Sequence, residues 1–491
     1  MAMKDKIKII AALVLVFVFA SPIAVAAHPR YQTGVESYVY AIIGPSMLMA
    51  VPTPAPYRFV RSVHAHDLGI NSFAHISEIR YHDGHFFVTN DASLLVLDYN
   101  FNLVHEITEI VYNGTTQPLQ RLDGVFVTQD GHVYVAEPGG ERVIHFDADL
   151  NVVRVIGRPY GIPLADHVSF QPIKVAVDPN GRIYVIAHGV FEGIVEINPD
   201  GTFNRYFGII SVQYSPIELF WRRFQSAEQR MAMTMWLPVT FSNITLNHDG
   251  FVFASLSDGD TEHAVMKLNA RGENIIRRPH DIMRVGDVVF PTWGLDIPTG
   301  PSVIIDVHVS NYGVFYALDR TRNRVFAYDS DGEMLFAFGG QGSAVGFTTN
   351  VTSMAVSDRH LVISDRGTQS LEVFELTAYG EMLLTAAYHQ YHADWNAAAG
   401  YWRAVLDVNP HFQYAHLGLG RWYYRNGYYA QARAHFARAQ HAVYYSMAYS
   451  RLRTAFMERH FNTVVLGLVL LVGGVVAYKT VKKVRKVGVT A

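Results

Sequence analysis

The chain has 491 residues, half of them hydrophobic, with a formal net charge of −3 and no cysteine. This length exceeds one compact domain and supplies ample apolar material for large cores. The lack of cysteine excludes disulfide scaffolds, thiolate zinc sites and cysteine nucleophiles, and the near-neutral charge gives no reason to expect nucleic acid as a partner.

The first 27 residues have the pattern of a secretory signal peptide. Three lysines within the first eight residues precede an apolar run over 9–20, and small residues follow at 25–27. A basic region, a short apolar run and a small-residue cleavage site are typical of such a signal. An uncleaved anchor is the alternative, although the run is short for a spanning helix. Residues 28–56 lack clear periodicity, and we interpret them as a lead-in segment before the first blade.

A pair of short strands recurs six times between residues 75 and 376. The clearest copies are 130–137 followed by 142–147, and 312–319 followed by 324–329. Each has a turn glycine, an alternating β-branched and aromatic strand, a polar turn and a second strand. The five turn glycines lie 47, 50, 69 and 63 residues apart: Gly84, Gly131, Gly181, Gly250 and Gly313. This spacing predicts one blade per repeat, and therefore a mainly β fold with a six-bladed β-propeller over 57–378.

Residues 217–236 interrupt the repeats between the third and fourth blades. Their apolar residues recur at helical spacing, and Pro216 and Pro238 bracket them. The pattern predicts an amphipathic helical insertion. It either covers one end of the propeller or acts as a lid or partner-binding helix.

Beyond Gly380 the hydrophobic period becomes helical. The positions that match a tetratricopeptide repeat are Leu419, Gly420, Tyr423, Gly427, Tyr429, Ala432, Phe436 and Ala439. A preceding second helix fits the aromatic and apolar residues over 395–410. Residues 379–458 therefore predict about two helical repeats. Three repeats are usually needed for independent stability, so we expect these to lean on the propeller or on a partner.

An uncharged stretch of 18 residues over 461–478 predicts a transmembrane helix. At about 1.5 Å per residue it reaches roughly 27 Å, enough to cross a bilayer. Seven of the nine lysines lie in the first eight residues or after this stretch. By the positive-inside rule, 479–491 form a basic cytoplasmic tail and 28–460 lie outside. A buried helix hairpin is the alternative for 461–478.

The hairpin consensus resembles NHL repeats. It combines Asp-Gly-x-hydrophobic-Tyr-Val-Ala at 130–136 with Arg-Val-x-x-Phe/Tyr-Asp strands and a following Asp-Gly, as at Asp331 and Gly332. The resemblance covers 75–376, although Arg359 stands where the sixth copy would have glycine. With the signal, the repeats and the anchor, the arrangement looks like bacterial surface proteins of the NHL or gluconolactonase-like kind. The resemblance implies a gene neighbourhood with carbohydrate ABC-transporter components and Yip-type membrane proteins.

The resemblance to gluconolactonases also implies one divalent metal on the propeller axis. We expect no cofactor, and Ca²⁺ is the alternative because carboxylate and amide oxygens suit calcium. The inner strands begin near equivalent residues in the six blades: Glu78, Asp123, Lys174, Asn243, Asp306 and Ser353. The candidate metal ligands among them are Glu78, Asp123, Asn243 and Asp306. Lys174 opposes a metal because it adds a positive charge, and polar residues lining a wet channel are the alternative.

Other catalytic patterns are weak or missing in the sequence. A zinc site would need histidines such as His188, His263 and His308 to converge, but they do not share one repeat position. The chain has no glycine-rich phosphate loop, no G-x-S-x-G elbow and no H-E-x-x-H.

We expect a membrane-anchored extracytoplasmic binding or scaffold protein, because NHL-type propellers are mostly binding platforms. Its partners would be an envelope protein, such as a carbohydrate ABC-transporter component, or a glycan. The expected surfaces are the propeller top face and a helical groove lined by Trp402, Tyr414, Trp422 and Tyr423. The alternative function is a metal-dependent, lactonase-like hydrolase.

Overall fold

The computed structural model describes residues 37–43, 47–165, 167–209, 240–256, 263–277, 285–292 and 298–487. The predicted signal peptide over 1–27 and the predicted helical insertion over 217–236 lie outside the described residues. Residues 28–36 and 44–46 of the lead-in segment and the last four residues of the chain also lie outside them.

The described chain forms two compact units. The first contains the strands and covers 37–40, 47–311 and 315–376. The second contains the helices and covers 377–487, together with the short segments 41–43 and 312–314.

Six antiparallel sheets form the blades of the first unit, and they confirm the six-bladed β-propeller. The first blade contains β4 (Ile76–His82), β5 (His85–Asn90), β6 (Ser93–Asp98) and β7 (Leu103–Ile107). The second contains β10 (Gly124–Val127), β11 (Val133–Glu137), β12 (Arg142–Phe146) and β13 (Val152–Ile156). The third contains β14 (Gln171–Val177), β15 (Ile183–His188), β16 (Ile194–Ile197) and β17 (Phe203–Phe207).

The remaining blades depart from this four-strand rule in two places. The fourth has three described strands, β18 (Phe241–Leu246), β19 (Val252–Leu256) and β20 (Val265–Leu268). The fifth contains β21 (Ile304–Val309), β22 (Phe315–Asp319), β23 (Arg324–Tyr328) and β24 (Met334–Gly339). Its outer edge is extended by β1 (Tyr38–Ile43) and β2 (Met47–Pro52). A separate hairpin of β8 (Glu109–Tyr112) and β9 (Thr115–Pro118) follows the first blade.

The sixth blade closes the ring with a strand from the start of the propeller. It contains β25 (Val351–Val356), β26 (His360–Asp365) and β27 (Ser370–Leu376), and its outer strand is β3 (Tyr57–His64). The β3–β27 pair runs antiparallel, with Val63 opposite Leu371. A short 3₁₀ helix (Ala65–Leu68) then leads to the first blade. The last blade is therefore tied to the chain that precedes the first one.

The apolar core lies between neighbouring blades. Ile79 and Val88 of the first blade pack with Val362 and Val373 of the sixth. Equivalent clusters join the first blade to the second, the second to the third and the third to the fourth. Because each middle strand is covered on both faces, β11, β19, β22 and β23 are buried along their whole length. This is why a single hairpin of the repeat could not fold alone.

Five helices form the second unit. They are α1 (Ala378–Tyr391), α2 (Trp395–Val408), α3 (Gln413–Arg425), α4 (Tyr429–Arg438) and α5 (Ala442–Val487), and each packs on the next. Thr377 caps α1 by accepting from the Gly380 amide at 3.1 Å. A Cβ atom at Gly420 would lie 2.5 Å from the Phe436 ring, so α3 and α4 approach closely only with glycine there.

The last helix, α5, is 46 residues long and contains the predicted span over 461–478. At 1.5 Å per residue it extends about 69 Å. Within the described residues it is the one helix long and apolar enough to cross a membrane, and none of its apolar window is buried. Leu468, Leu470 and Leu471 each expose 60% or more of their surface.

Candidate functional site

The six equivalent positions predicted from the repeat lie in or next to the inner strands of the six blades. In five of the six, the strand register shifts immediately before that residue, so the local backbone is bulged. The shifts precede Glu78, Lys174, Asn243, Asp306 and Ser353. A bulge re-aims the side chain that follows it. Five of the six positions identified from the repeat are therefore structurally equivalent.

Contacts between distant blades show that these side chains meet on the axis. The Asn243 amide of the fourth blade donates to Glu78 Oε1 of the opposite, first blade at 3.4 Å. The Ser353 hydroxyl of the sixth blade donates to Asp306 Oδ2 of the fifth at 2.5 Å. We call the set that meets here the axial cluster, and it consists of Glu78, Arg80, Lys174, Asn243, Asp306 and Ser353.

The guanidinium of Arg80 lies at the centre of the axial cluster. It forms an ion pair with Glu78, and its Nη1 and Nη2 atoms lie 3.3 Å from Asp306 Oδ1. Its Nη2 also donates to Asn243 Oδ1 at 3.1 Å. Arg80 is buried, as are these three partners. Burial opposes the charge on Arg80, but the adjacent carboxylates of Asp306 and Glu78 outweigh it and raise the pKa of the guanidinium.

Lys174 supplies a second cation to the same cluster. Its Nζ atom lies 3.1 Å from Glu78 Oε2 and 3.1 Å from the Asp123 carbonyl oxygen. Glu78 also accepts from the Val125 amide at 3.0 Å, and Asp306 accepts from the Met354 amide at 2.7 Å. Two carboxylates thus face two cations, and the charges of the axial cluster balance.

Three of the four candidate metal ligands, Glu78, Asn243 and Asp306, therefore come together, but they surround the Arg80 guanidinium. Asp123, the fourth, turns its carboxylate to Ser77 and Arg121 instead, at 3.2 and 2.8 Å. In the part of the chain that the structure describes, no group of three or more His, Asp or Glu side chains is arranged to hold a metal ion. This also applies to the histidines considered for zinc.

Sequence reasoning missed Arg80, although a signal for it was present. Residues i and i+2 of a strand share a face, so Arg80 follows Glu78 toward the axis. His308, two residues after Asp306, follows the same rule. Burial, and then the positive charge of Arg80, lower the pKa of the His308 imidazole to about 4.

The four aromatic residues predicted to line a helical groove do not share one surface. Trp402 and Tyr414 are 1% and 6% exposed and lie inside the helical unit. Gln390 connects them: its amide nitrogen donates to the Tyr414 hydroxyl at 2.6 Å, and its oxygen accepts from Trp402 Nε1 at 3.3 Å. The groove prediction therefore needs correction at these two positions, because both rings are buried inside the helical unit and Trp402 packs directly over Gly418.

Trp422 and Tyr423 remain partly exposed on α3. Trp422 donates to Asn396 Oδ1 at 2.8 Å, and the Arg403 guanidinium lies 4.8 Å from its ring centroid. The Tyr423 ring stacks on His435 at 5.2 Å. These contacts hold two aromatic rings in defined positions at the surface of the helical unit.

No family model matches the chain, and no curated protein matches it. Among solved structures, the chain is similar to virginiamycin B lyase from Staphylococcus aureus, with 11% identity and a TM-score of 0.39 over 65% of this chain and 100% of that one. It is also similar to the extracellular domain of a putative one-component system from B. thetaiotaomicron, with 10% identity, a TM-score of 0.36 and coverage of 70% and 39%. PorZ, a surface component of the type-IX secretion system of Porphyromonas gingivalis, matches with 14% identity, a TM-score of 0.39 and coverage of 68% and 49%.

Proposed function

We propose that this protein is a membrane-anchored, extracytoplasmic binding protein and not an enzyme. Its propeller and helical repeats would engage an envelope protein, with a carbohydrate ABC-transporter component as the expected partner, or a glycan. The helical pairs serve in this proposal as a short tetratricopeptide-like adaptor between the NHL-like propeller and the anchor.

The observation that carries the proposal is the position of Arg80. Gluconolactonase-like catalysis would need oxygen ligands open to a cation on the axis, since hard cations require several such oxygens. Here the oxygens of Glu78, Asn243 and Asp306 bond to a guanidinium. Lys174 adds a second positive charge at 3.1 Å from Glu78. Because charged side chains fill the axis and balance one another, the described residues leave no place there for a metal. We therefore propose that partners bind at the outer surfaces of the propeller.

The exposed apolar surface of α5 supports the proposal that this helix anchors the protein in a membrane. An apolar face of this extent on a soluble protein would be exceptional, and a bilayer would cover it. The basic residues that follow favour a cytoplasmic C-terminus by the positive-inside rule, which leaves the propeller outside.

A metal titration distinguishes the proposed binding function from the alternative hydrolase function. The full-length protein in detergent should show the same thermal midpoint with and without Ca²⁺ or Zn²⁺, because a ligand that binds only the folded state would raise it. A saturable rise that Glu78→Ala or Asp306→Ala abolishes would contradict the proposal and favour the lactonase-like alternative.

Site-specific photo-crosslinking in the intact envelope tests the binding role directly. A photoreactive residue in place of the partly exposed Trp422 should give one reproducible membrane-protein adduct. The same residue in place of Val153, which is 50% exposed on β13, serves as the matched surface control. Equal adducts at both positions, or no adduct at Trp422, would contradict a specific partner.

A further inference from the structure

A second group of charged side chains lies beside the axial cluster. We call it the Asp123 cluster, and it consists of His75, Arg121, Asp123 and Arg366. His75 precedes β4, Arg121 and Asp123 precede β10, and Arg366 follows β26, so the cluster joins three consecutive blades of the ring. The Asp123 carbonyl oxygen accepts from Lys174, which makes the two clusters contiguous.

Of the two guanidinium groups in this cluster, Arg121 contacts the single carboxylate and Arg366 contacts the imidazole. Arg121 grips the carboxylate with Nε on Oδ1 at 2.8 Å and Nη2 on Oδ2 at 3.0 Å. Arg366 contacts the imidazole of His75 through Nη2, at 3.2 Å from Nε2. That same imidazole nitrogen lies 3.8 Å from Asp123 Oδ1.

The contact with Arg366 shows which form of His75 is present. A guanidinium only donates, so His75 Nε2 must accept, and the ring is neutral. Burial, and then the charges of Arg366 and Arg121, lower the pKa of His75 accordingly. The four members of the cluster therefore hold two positive charges and one negative charge, an excess of one positive charge. The carboxylate of Asp91 acts on His75 from outside the cluster, whereas the charges that act on Arg366 are those of Arg121 and Asp123.

The adjacent axial cluster does not supply the missing anion, because its own two carboxylates already face Arg80 and Lys174. The excess positive charge affects Arg366, because burial and the like charge of Arg121 lower the pKa of its guanidinium. Within the described residues, Arg366 Nε is also buried with no hydrogen-bond partner. Uncompensated charge beside a buried donor is costly, and an anion bound at the exposed side of the cluster would offset the excess charge.

Donors for such an anion are available and accessible. The side chain of Arg121 is 56% exposed, and its grip on Asp123 uses only the Nε and Nη2 edge of the fork. Guanidinium forks bind carboxylates and phosphates with two parallel hydrogen bonds, which gives both affinity and orientation.

We propose that the Asp123 cluster is a binding site for the oxyanion of a small acidic ligand, held by Arg121 and Arg366. This inference rests on the proposed function, since it names the ligand chemistry of a propeller that binds. A sugar carboxylate and a phosphate share this chemistry, and the test distinguishes them.

Calorimetric titration of the full-length protein in detergent tests the site with glucuronate, inorganic phosphate and the neutral sugar glucose. We expect saturable binding of at least one oxyanion and none of glucose. Stronger binding of glucuronate identifies a sugar acid as the source, and stronger binding of phosphate identifies a phosphorylated ligand. Arg121→Met and Arg366→Met should each weaken binding about tenfold or more, as loss of a charge-assisted hydrogen bond does. Arg58→Met, which removes an exposed arginine paired with Glu375, is the matched control.

A variant that is expected to bind more tightly distinguishes a specific effect on the site from misfolding. Asp123→Asn raises the excess from one positive charge to two, so it should tighten oxyanion binding. Binding of neither oxyanion, equal binding of glucose, or unchanged affinity in both arginine variants would overturn the proposal. Those outcomes leave the crosslinking result at Trp422 intact, so failure of this site is distinguishable from failure of the binding role.

Discussion

Arg80 of the first blade donates to Asp306 of the fifth, with Nη1 and Nη2 each 3.3 Å from Oδ1. The sixth blade lies between these two blades in the ring, so the bond joins blades that are not neighbours. It links chain segments 226 residues apart and makes the centre of the propeller a single charge-balanced unit.

Substitutions of Arg80 and Asp306 should have strongly non-additive effects on the free energy of unfolding. Arg80→Met should lower the free energy of unfolding by about 3–5 kcal/mol, because it leaves buried carboxylates without their partner. Arg80→Met combined with Asp306→Asn should cost less than the sum of the single changes, since the double variant leaves Glu78 paired with Lys174. Denaturant unfolding of the four proteins measures this. The exposed pair of Arg58 and Glu375 is the control, and coupling no larger than in that pair would refute the prediction.

Gly124 should be intolerant of any side chain. A Cβ atom there would lie 2.7 Å from the Ile173 carbonyl oxygen and 3.0 Å from Lys174 Cα, so the second and third blades would have to separate. We expect Gly124→Ala to cost about 1–3 kcal/mol, as overpacking does. Gly157→Ala, also in the second blade, meets no atom within 4 Å and should leave stability unchanged or slightly raised. Equal thermal midpoints for the two variants would contradict this account.

Ring closure through β3 should depend on Val63. Val63 is 1% exposed and packs between the sixth and first blades, so Val63→Ala should cost about 1.5–2.5 kcal/mol through the lost methyl groups. Val60 on the same strand is 47% exposed, and Val60→Ala should have little effect. Urea unfolding of both variants measures the difference, and similar midpoints would show that β3 does not clamp the ring.

Stability should fall as the pH is lowered from 7 to 5. Burial, followed by the charge of a neighbouring cation or histidine, lowers the pKa of His145, His308 and His435 to about 4. The unfolded chain, with an ordinary histidine pKa near 6.5, then binds more protons than the folded one. Stability is therefore complete above about pH 6.5 and is lost as the pH falls from there toward 4.

His145 is the most direct residue for testing this pH dependence. Its Nε2 lies 2.9 Å from His132 Nδ1, and its ring stacks on Tyr134 at 4.1 Å. His145→Gln should reduce the difference between thermal midpoints at pH 7.5 and 5.0. The exposed His105→Gln is the control. An unchanged difference in His145→Gln would show that this pair does not contribute.

The apolar part of α5 should be required for tight membrane association. A chain truncated after His460 should leave the membrane fraction on alkaline carbonate extraction, because it lacks the exposed apolar stretch. A chain truncated after Tyr478 keeps that stretch and should remain. Retention of the shorter protein would place the anchor elsewhere, as an uncleaved N-terminal segment would.

The elements that depend on local pattern could be predicted from the order of the residues alone. Alternating strands with turn glycines at 84, 131, 181, 250 and 313 predicted six blades, because strand alternation and turns arise from neighbouring residues. The same repeat identified Glu78, Asn243 and Asp306 as equivalent positions, and the apolar run over 461–478 predicted the long exposed helix.

The contacts that those residues make depend on how the blades and helices pack together. Whether Glu78 and Asp306 face a metal or a guanidinium depends on Arg80, on a strand more than 200 positions from Asp306 in the chain. The burial of Trp402 and Tyr414 likewise depends on how α1, α2 and α3 pack, and the attachment of β1 to β24 joins residues about 300 apart. Such pairings are selected by the packing of the whole ring or bundle, so local periodicity carries no record of them.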